Sequence, residues 1–329
     1  MLISSGRFAD YRSETHVFNL LGPKFSDLTN PAQREKLLDV WLQSFQFRQS
    51  GLDAKQFMDR TRNGFTTPGE FLRTFMKQIC EAQGVKRWAE CTPEHLLYMR
   101  QIKREIPDAK VIHIIRDGRD VALSEIRCGW VKPFSWDSTH QLAVSGLYWK
   151  WIVGRGRKQG REIAPDYMEV RFEELVENPR SVLSRIGSFI DQTLDYKSLL
   201  KNAVGTIKEP NTSFDETDKA FSPVGRWKTE LEPQELQELE SAIHPLPAQL
   251  GYQTYSKCYA NNYSMRRLRM CYPLYFTSRL WLKSHTPLGR LANIGLLYNP
   301  ESSAVREIPT RPLADSASAA AVADKPPNR

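Results

Sequence analysis

The chain lacks acidic residues over one long stretch: none occurs between Ser241 and Pro300. Seven cations lie in that stretch, namely Lys257, Arg266, Arg267, Arg269, Arg279, Lys283 and Arg290. The net charge of +8 is therefore concentrated near the C-terminus and is not a property of the whole surface. Since no recognised nucleic-acid-binding module accompanies these cations, we expect no nucleic-acid partner.

Long apolar runs and paired cysteines are also missing. No run approaches the roughly 20 residues of a membrane-spanning helix, and the N-terminus MLISSGRFADYRSE is too short and too polar for a secretory signal. The five cysteines are scattered without a CxxC pair, which argues against a disulfide framework or a zinc site. We therefore predict a cytoplasmic protein without a metal.

The most informative segment is KVIHIIRDGRDVALS, residues 110–124. Its apolar, β-branched run is typical of a parallel strand buried on both faces, and the Asp117-Gly118 turn precedes a helical pattern. This order places Arg116 at the carboxyl edge of a sheet, where anions and other ligands bind. Ser124 lies close enough along the helix to meet the same anion. An ordinary strand–helix junction with solvated arginines is the alternative.

The segment resembles one in sulfotransferases that use 3′-phosphoadenylyl sulfate. Those enzymes have a strand ending in Arg, then Asp-x-Arg-Asp, and a Ser that follows at the spacing found here. In the family this Arg and Ser hold the 3′-phosphate, a role that the resemblance implies for Arg116 and Ser124. It also implies an α/β fold of the P-loop-like sulfotransferase type, with a short parallel sheet flanked by helices.

A second segment recurs in the same family in the same order. Residues 167–172 alternate like a strand, Glu173-Glu174-Leu175 follows, and Asn178-Pro179 begins an amphipathic helix. Alone, these features also fit a plain βα unit. Further helices are predicted to begin at Asn30-Pro31, Thr67-Pro68, Thr92-Pro93, Gln141 and Glu232.

The motif Gly225-Arg226-Trp227-Lys228 ends a segment without periodicity, residues 204–224, which we predict to be a long loop. Two cations and an aromatic ring can contact a phosphate and stack on a base; the alternative is a surface loop with one anchoring Trp. Bacterial-type sulfotransferases carry a G-R-W motif in a loop that closes over the nucleotide. The resemblance therefore implies that Arg226, Trp227 and Lys228 bind the nucleotide.

Catalysis is predicted at Glu14 and His16. Sulfuryl transfer needs a base to accept the proton of the acceptor hydroxyl. Along a strand, two residues spaced like Glu14 and His16 point to the same face; the alternative places both in a solvated turn. In tyrosylprotein-type relatives a Glu matching Glu14 is the base, so the resemblance implies Glu14 first and His16 second.

Two departures from the family pattern concern the sulfate end of the nucleotide. No P-x-S-G-T-T loop or Walker motif occurs, and Ile3–Arg7 is only superficially similar, so we expect an N-terminally incomplete fold from a misplaced start or a truncation. Relatives usually have Lys before Thr-Pro, where this chain has Cys91, which we expect to pack as an inert thiol. Both changes remove positive charge from the sulfate end of the nucleotide site. Whether the chain as given is active is therefore an open question.

Residues 257–290 mix cations with aromatic and aliphatic side chains. They fit an amphipathic helix on an anionic membrane surface, a binding segment for a polyanionic or lipid-like acceptor, or an extension packed on the core. We predict a sulfotransferase-like domain over residues 1–256, a basic aromatic extension over 257–300 and a disordered tail over 301–329.

The predicted function is transfer of a sulfuryl group from 3′-phosphoadenylyl sulfate, as co-substrate, to a hydroxyl or amine acceptor. This is activity of the EC 2.8.2 type. The alternative is a non-catalytic, truncated relative that keeps the site for the 3′-phosphate and acts as a binding or scaffold protein. A kinase of related fold is disfavoured by the missing Walker Lys. The acceptor itself cannot be read from the sequence.

Overall fold

The computed structural model describes residues 1–25, 27–202, 223–255, 262–291 and 294–298. Within these ranges the chain forms fifteen α-helices and two β-strands. The helices are α1 (Gly22–Lys24), α2 (Pro31–Leu42), α3 (Phe45–Arg48), α4 (Ala54–Thr61), α5 (Pro68–Gln83), α6 (Met99–Glu105), α7 (Gly118–Cys128), α8 (Gln141–Glu162), α9 (Phe172–Glu177), α10 (Pro179–Phe189), α11 (Tyr196–Asn202), α12 (Trp227–Glu230), α13 (Pro233–Ile243), α14 (Leu246–Gln249) and α15 (Tyr263–His285).

The two strands lie side by side in parallel. β1 spans Val111–Ile115 and β2 spans Tyr167–Arg171, and α7 and α8 form the crossover between them. Both predicted strands are confirmed, as is the predicted α/β class with a short parallel sheet flanked by helices. Because Ile115 is paired with Arg171, the carboxyl ends of both strands meet at one edge of the sheet.

Helices cover both faces of the sheet, but unevenly. On one face, Val170 packs against Val182, Leu183 and Ile186. On the other, Ile115 packs against residues of α7, α8 and α13. The prediction that β1 is buried on both faces is wrong at Ile114, which is 52% exposed. On the face that contains Val170, α10 covers β2 and, within the described part of the chain, leaves Ile114 open to solvent.

The N-terminal helices form their own aromatic core around Trp41, Phe71 and Phe75. Local sequence explains where the helices begin. The Asn30 side chain accepts a hydrogen bond from the Ala32 N–H at the start of α2, and the Thr67 hydroxyl accepts one from Glu70 at the start of α5. At Thr92-Pro93 the predicted helix is instead a 3₁₀ turn, Pro93–Tyr98, which α6 continues.

The basic stretch near the C-terminus contains the long helix α15. Its residues Met265, Leu268, Tyr272 and Phe276 are buried, and the helix packs on α8 and α13. In the described ranges, no helix combines the length and apolarity needed to cross a bilayer. The division at residues 256 and 300 stays a prediction. Residues 301–329, and the loop 204–224 except Pro223 and Val224, lie outside the described residues.

Candidate active site and anion site

Glu14 and His16 come together in a buried loop. The loop leads into a π-helical turn, Val17–Leu21, and His16 has a left-handed backbone with φ of 52°. Glu14 and His16 therefore do not lie on the expected strand. The alternative of a solvated turn does not hold either, since His16 is only 6% exposed. The two side chains still meet: His16 Nε2 lies 3.5 Å from Glu14 Oε2.

Asn19 fixes the orientation of the His16 ring. Its amide nitrogen lies 3.3 Å from His16 Nδ1 and also donates to the Glu94 carboxylate. Because an amide nitrogen can only donate, Nδ1 must be the acceptor, and the proton of the neutral ring is assigned to Nε2. The ring proton of His16 is therefore on the nitrogen that lies nearer to Glu14.

Glu90 organises the loop from the other side. Its carboxylate accepts hydrogen bonds from the N–H and hydroxyl of both Thr15 and Thr92, and from His95 Nδ1 at 2.8 Å. Although burial by itself would raise it, the His95 ring and these hydrogen bonds lower the pKa of Glu90 to about 2. A permanent negative charge therefore lies next to Glu14.

The same surroundings act on Glu14 in the opposite direction. Burial, followed by the negative charges of Glu90 and Glu94, raises the pKa of Glu14 to about 7. Burial also lowers the pKa of His16 from its ordinary value. A carboxyl group with such a pKa is suited to accept a proton at neutral pH, since general bases work best near the operating pH.

Cys91 adjoins this cluster. Desolvation and the charges of Glu90 and Glu14 raise the pKa of its thiol to about 11, so the thiol stays protonated and is a poor nucleophile.

The acidic side chains around Glu14 could also be considered as metal ligands. Among the residues that the structure describes, no group of His, Cys, Asp or Glu is arranged to hold a metal ion.

The second cluster lies at the carboxyl edge of the sheet. Arg116 directly follows β1, donates from Nη2 to the Pro223 carbonyl at 2.5 Å and lies over the Phe172 ring. Within the described ranges, its Nε is buried and has no hydrogen-bond partner. A buried guanidinium N–H without an acceptor is costly, and an anionic ligand would provide one.

Local packing explains how Arg116 is held. Trp149 of α8 donates from its indole N–H to the Arg116 carbonyl at 3.1 Å, and its ring lies against Gly118. A Cβ at Gly118 would approach the ring to 2.5 Å, so the turn needs glycine for this close approach. Ser124 lies on α7, half-buried, and its hydroxyl makes no hydrogen bond within the described part of the chain.

The Gly225-Arg226-Trp227-Lys228 motif is tied to the same edge. The Asp120 carboxylate accepts hydrogen bonds from the Gly225 N–H at 2.8 Å and the Trp227 N–H at 3.1 Å. Trp227 is buried, and the Arg119 guanidinium stacks on its ring at 3.7 Å. In this arrangement the Trp227 ring anchors the motif to α7, and its binding of the nucleotide stays a prediction.

The two cations of the motif have different surroundings. Arg226 is buried, forms an ion pair with Glu230 at 3.0 Å and interacts electrostatically with Arg116. Lys228 is exposed, with its ammonium group 5.7 Å from the Trp227 ring. The structure thus brings Arg116 and Arg226 to one edge of the sheet, while Glu14 and His16 form a separate group in the N-terminal loop.

Several residues of these clusters were not singled out from the sequence. Glu173 accepts the Asp117 N–H at 2.8 Å and the Tyr252 hydroxyl, thereby joining the ends of both strands. Glu90 and His95 support the loop that contains Glu14 and His16. The sequence signal that could have pointed to them is the spacing Glu90-x-Thr92-x-x-His95 beside a Pro. Only the fold brings these residues next to Glu14.

Comparison with known proteins identifies the class to which this chain is similar, the sulfotransferases. The model described as "Sulfotransferase family" matches residues 14–196, more than half of the chain. The chain belongs to the sulfotransferase family. Both Glu14 and Arg116 fall within the matched region.

A solved structure, "Sulfotransferase Domain from the Curacin Biosynthetic Pathway", is similar in fold. Its TM-score is 0.50 at 16% sequence identity, and the match covers 77% of this chain and 93% of that one. The search of curated proteins found no significant match.

Proposed function

We propose that the protein transfers a sulfuryl group from 3′-phosphoadenylyl sulfate to a hydroxyl or amine acceptor. Family membership supports sulfuryl transfer in general. The observation that carries the finer proposal is the Glu14 carboxyl, whose raised pKa of about 7 and contact with His16 suit it to accept a proton. The cytoplasmic location inferred from cysteine usage is part of the same proposal.

The 3′-phosphate of the nucleotide would bind at Arg116 and Ser124. The unpartnered Arg116 Nε and the Ser124 hydroxyl both offer donors, and the N-terminus of α7 favours negative charge nearby. Arg226 and Lys228 add positive charge at this edge, and Trp227 holds their loop in place. When bound, the nucleotide supplies the sulfuryl group. The protein's own residues bind and orient the nucleotide and the acceptor, and they remove the proton from the acceptor.

At the acceptor, Glu14 would take the proton from the attacking hydroxyl or amine. His16 Nε2, which carries the ring proton, lies 3.5 Å from this carboxylate. The fixed negative charge of Glu90 keeps the basicity of Glu14 high. Removing the proton would raise the nucleophilicity of the acceptor as its bond to sulfur forms and the bond between sulfur and the phosphate oxygen breaks, with 3′-phosphoadenosine 5′-phosphate as the leaving group.

Calorimetric titration with 3′-phosphoadenosine 5′-phosphate tests the nucleotide site. We expect Ser124→Ala to weaken binding about tenfold, the typical value of one hydrogen bond to a charged group, and Arg116→Ala to weaken it more. Ser184→Ala, an exposed serine of α10, is the matched control. Equal affinity of the wild type and both site variants would refute the assignment.

Turnover is measured separately with labelled donor and a panel of hydroxyl and amine acceptors. Glu14→Gln should bind the nucleotide normally and lose turnover. Nucleotide binding without turnover by the wild type on every acceptor would contradict the proposed activity and would be the behaviour of the non-catalytic alternative.

A further inference from the structure

Within the described part of the chain, one helix carries a row of large apolar side chains that are mostly exposed to solvent. On α15, Tyr263, Met270, Leu274 and Trp281 are each more than half exposed. Their spacing of seven, four and seven residues places them along one stripe of the helix. The opposite stripe, which contains Leu268 and Tyr272, packs on the core, so α15 has two apolar faces and only one of them is covered.

Two more exposed tryptophans lie beside this helix. Trp130 and Trp136 are 61% and 69% exposed. Between them, Val131 packs in the same cluster as the buried face of α15, and the Phe134 ring contacts Tyr272 at 5.3 Å. We call Trp130, Trp136, Met270, Leu274 and Trp281 the apolar surface. Exposed apolar groups of this size mark interaction sites on monomeric proteins.

The charges at its edge are positive. Lys132, two residues after Trp130, and Arg266, one turn before Met270, are exposed, and the sequence from 241 to 300 holds no acidic residue. The neighbouring Asp137 is 2% exposed and paired with Arg267, so its charge is satisfied inside the protein. An occupant of this face must therefore be apolar and negatively charged.

From this combination we infer that the apolar surface docks on an anionic lipid bilayer, with α15 lying along the interface. Tryptophan rings favour the boundary between headgroups and acyl chains, and flanking cations bind anionic lipids. The stripe from 263 to 281 is about 27 Å long at the rise of an α-helix. A second copy of the chain fits less well, because a two-fold interface would bring the same cations face to face.

Co-sedimentation with vesicles tests this inference on the full chain. We expect binding to phosphatidylcholine vesicles that contain phosphatidylserine, weaker binding without phosphatidylserine, and further weakening at high salt. Leu274→Glu should reduce the partition coefficient about tenfold or more, since it places a carboxylate in the apolar stripe. Val176→Glu, on the equally solvent-accessible α9, is the matched control and should bind like the wild type.

Lys132→Glu provides a second variant that leaves the apolar groups in place and should mainly abolish the preference for phosphatidylserine. Quenching of tryptophan fluorescence by brominated lipids should fall when Trp136 and Trp281 are both replaced by Phe. The inference is overturned if the wild type does not bind the vesicles, or if Leu274→Glu and Val176→Glu bind equally. It is also overturned if sedimentation velocity shows a dimer that only Leu274→Glu dissociates, which would assign the face to a second copy.

Discussion

Glu14→Gln is the most informative single change, because we expect it to stabilise the fold while it removes activity. Burial and two neighbouring carboxylates raise the pKa of Glu14 from 4.5 to about 7. A carboxyl with a higher pKa in the folded than in the unfolded state favours folding most when protonated, below pH 4.5. Stability is then lost as the pH rises from 4.5 toward 7, because the unfolded state ionises this carboxyl while the folded state still holds it protonated.

The pKa values give the size of this effect. The difference between 4.5 and about 7 corresponds to at most ~3 kcal/mol in the free energy of unfolding. Since the Glu14 side chain keeps 30% of its solvent exposure, we expect about 2 kcal/mol after screening by solvent. Gln keeps the size and shape of the side chain but cannot ionise, so the variant should avoid this loss at high pH.

Urea denaturation of wild type and Glu14→Gln near pH 5 and near pH 8 measures the difference. The variant should be less than about 1 kcal/mol more stable near pH 5 and about 2 kcal/mol more stable near pH 8. Glu177→Gln, an exposed residue of α9, should show no such trend. Turnover of Glu14→Gln should fall about 10²- to 10⁴-fold. A stability difference that does not change with pH would refute the reasoning about its environment.

Three further changes test the supports of the two clusters. Trp227→Ala should lower the free energy of unfolding by about 3–5 kcal/mol, measured by urea denaturation, because it opens a cavity beside a buried guanidinium. Gly118→Ala should destabilise the fold by about 1–3 kcal/mol through its clash with Trp149 and should weaken nucleotide binding in calorimetry. Lys283→Met should raise the pKa of His16, followed by NMR titration, because the Lys283 charge contributes to its lowering; an unchanged His16 pKa would contradict that contribution.

The fold was predictable where local pattern and packing agree. The run Val111–Ile115 and the caps at Asn30 and Thr67 each depend on a few neighbouring residues, and the structure confirms all three elements. The exposure of Ile114 was not predictable, because it depends on which helix covers which strand. Burial on a sheet face is decided by residues far along the chain.

The candidate active site shows the same limit. The sequence pointed to Glu14 and His16, but it pictured them on a strand and could not supply Glu90, which reaches them through the fold. The raised pKa of Glu14 depends on that contact and on Glu94. A residue type can be read from a motif, whereas its basicity is set by neighbours that the motif does not contain.

The two arginines of Arg-Asp-Gly-Arg-Asp show why a motif alone does not separate binding residues from structural ones. Arg119 is 2% exposed and donates from Nε, Nη1 and Nη2 to Asp117 and Glu240, so its charge is fully used inside the protein. Arg116, three residues earlier, keeps a buried Nε without an acceptor in the described ranges. The difference arises because the carboxylates of Asp117 and Glu240 both accept hydrogen bonds from Arg119 and neither accepts one from Arg116. Arg119 therefore stabilises the edge of the sheet, and Arg116 is the arginine that we propose to bind the 3′-phosphate.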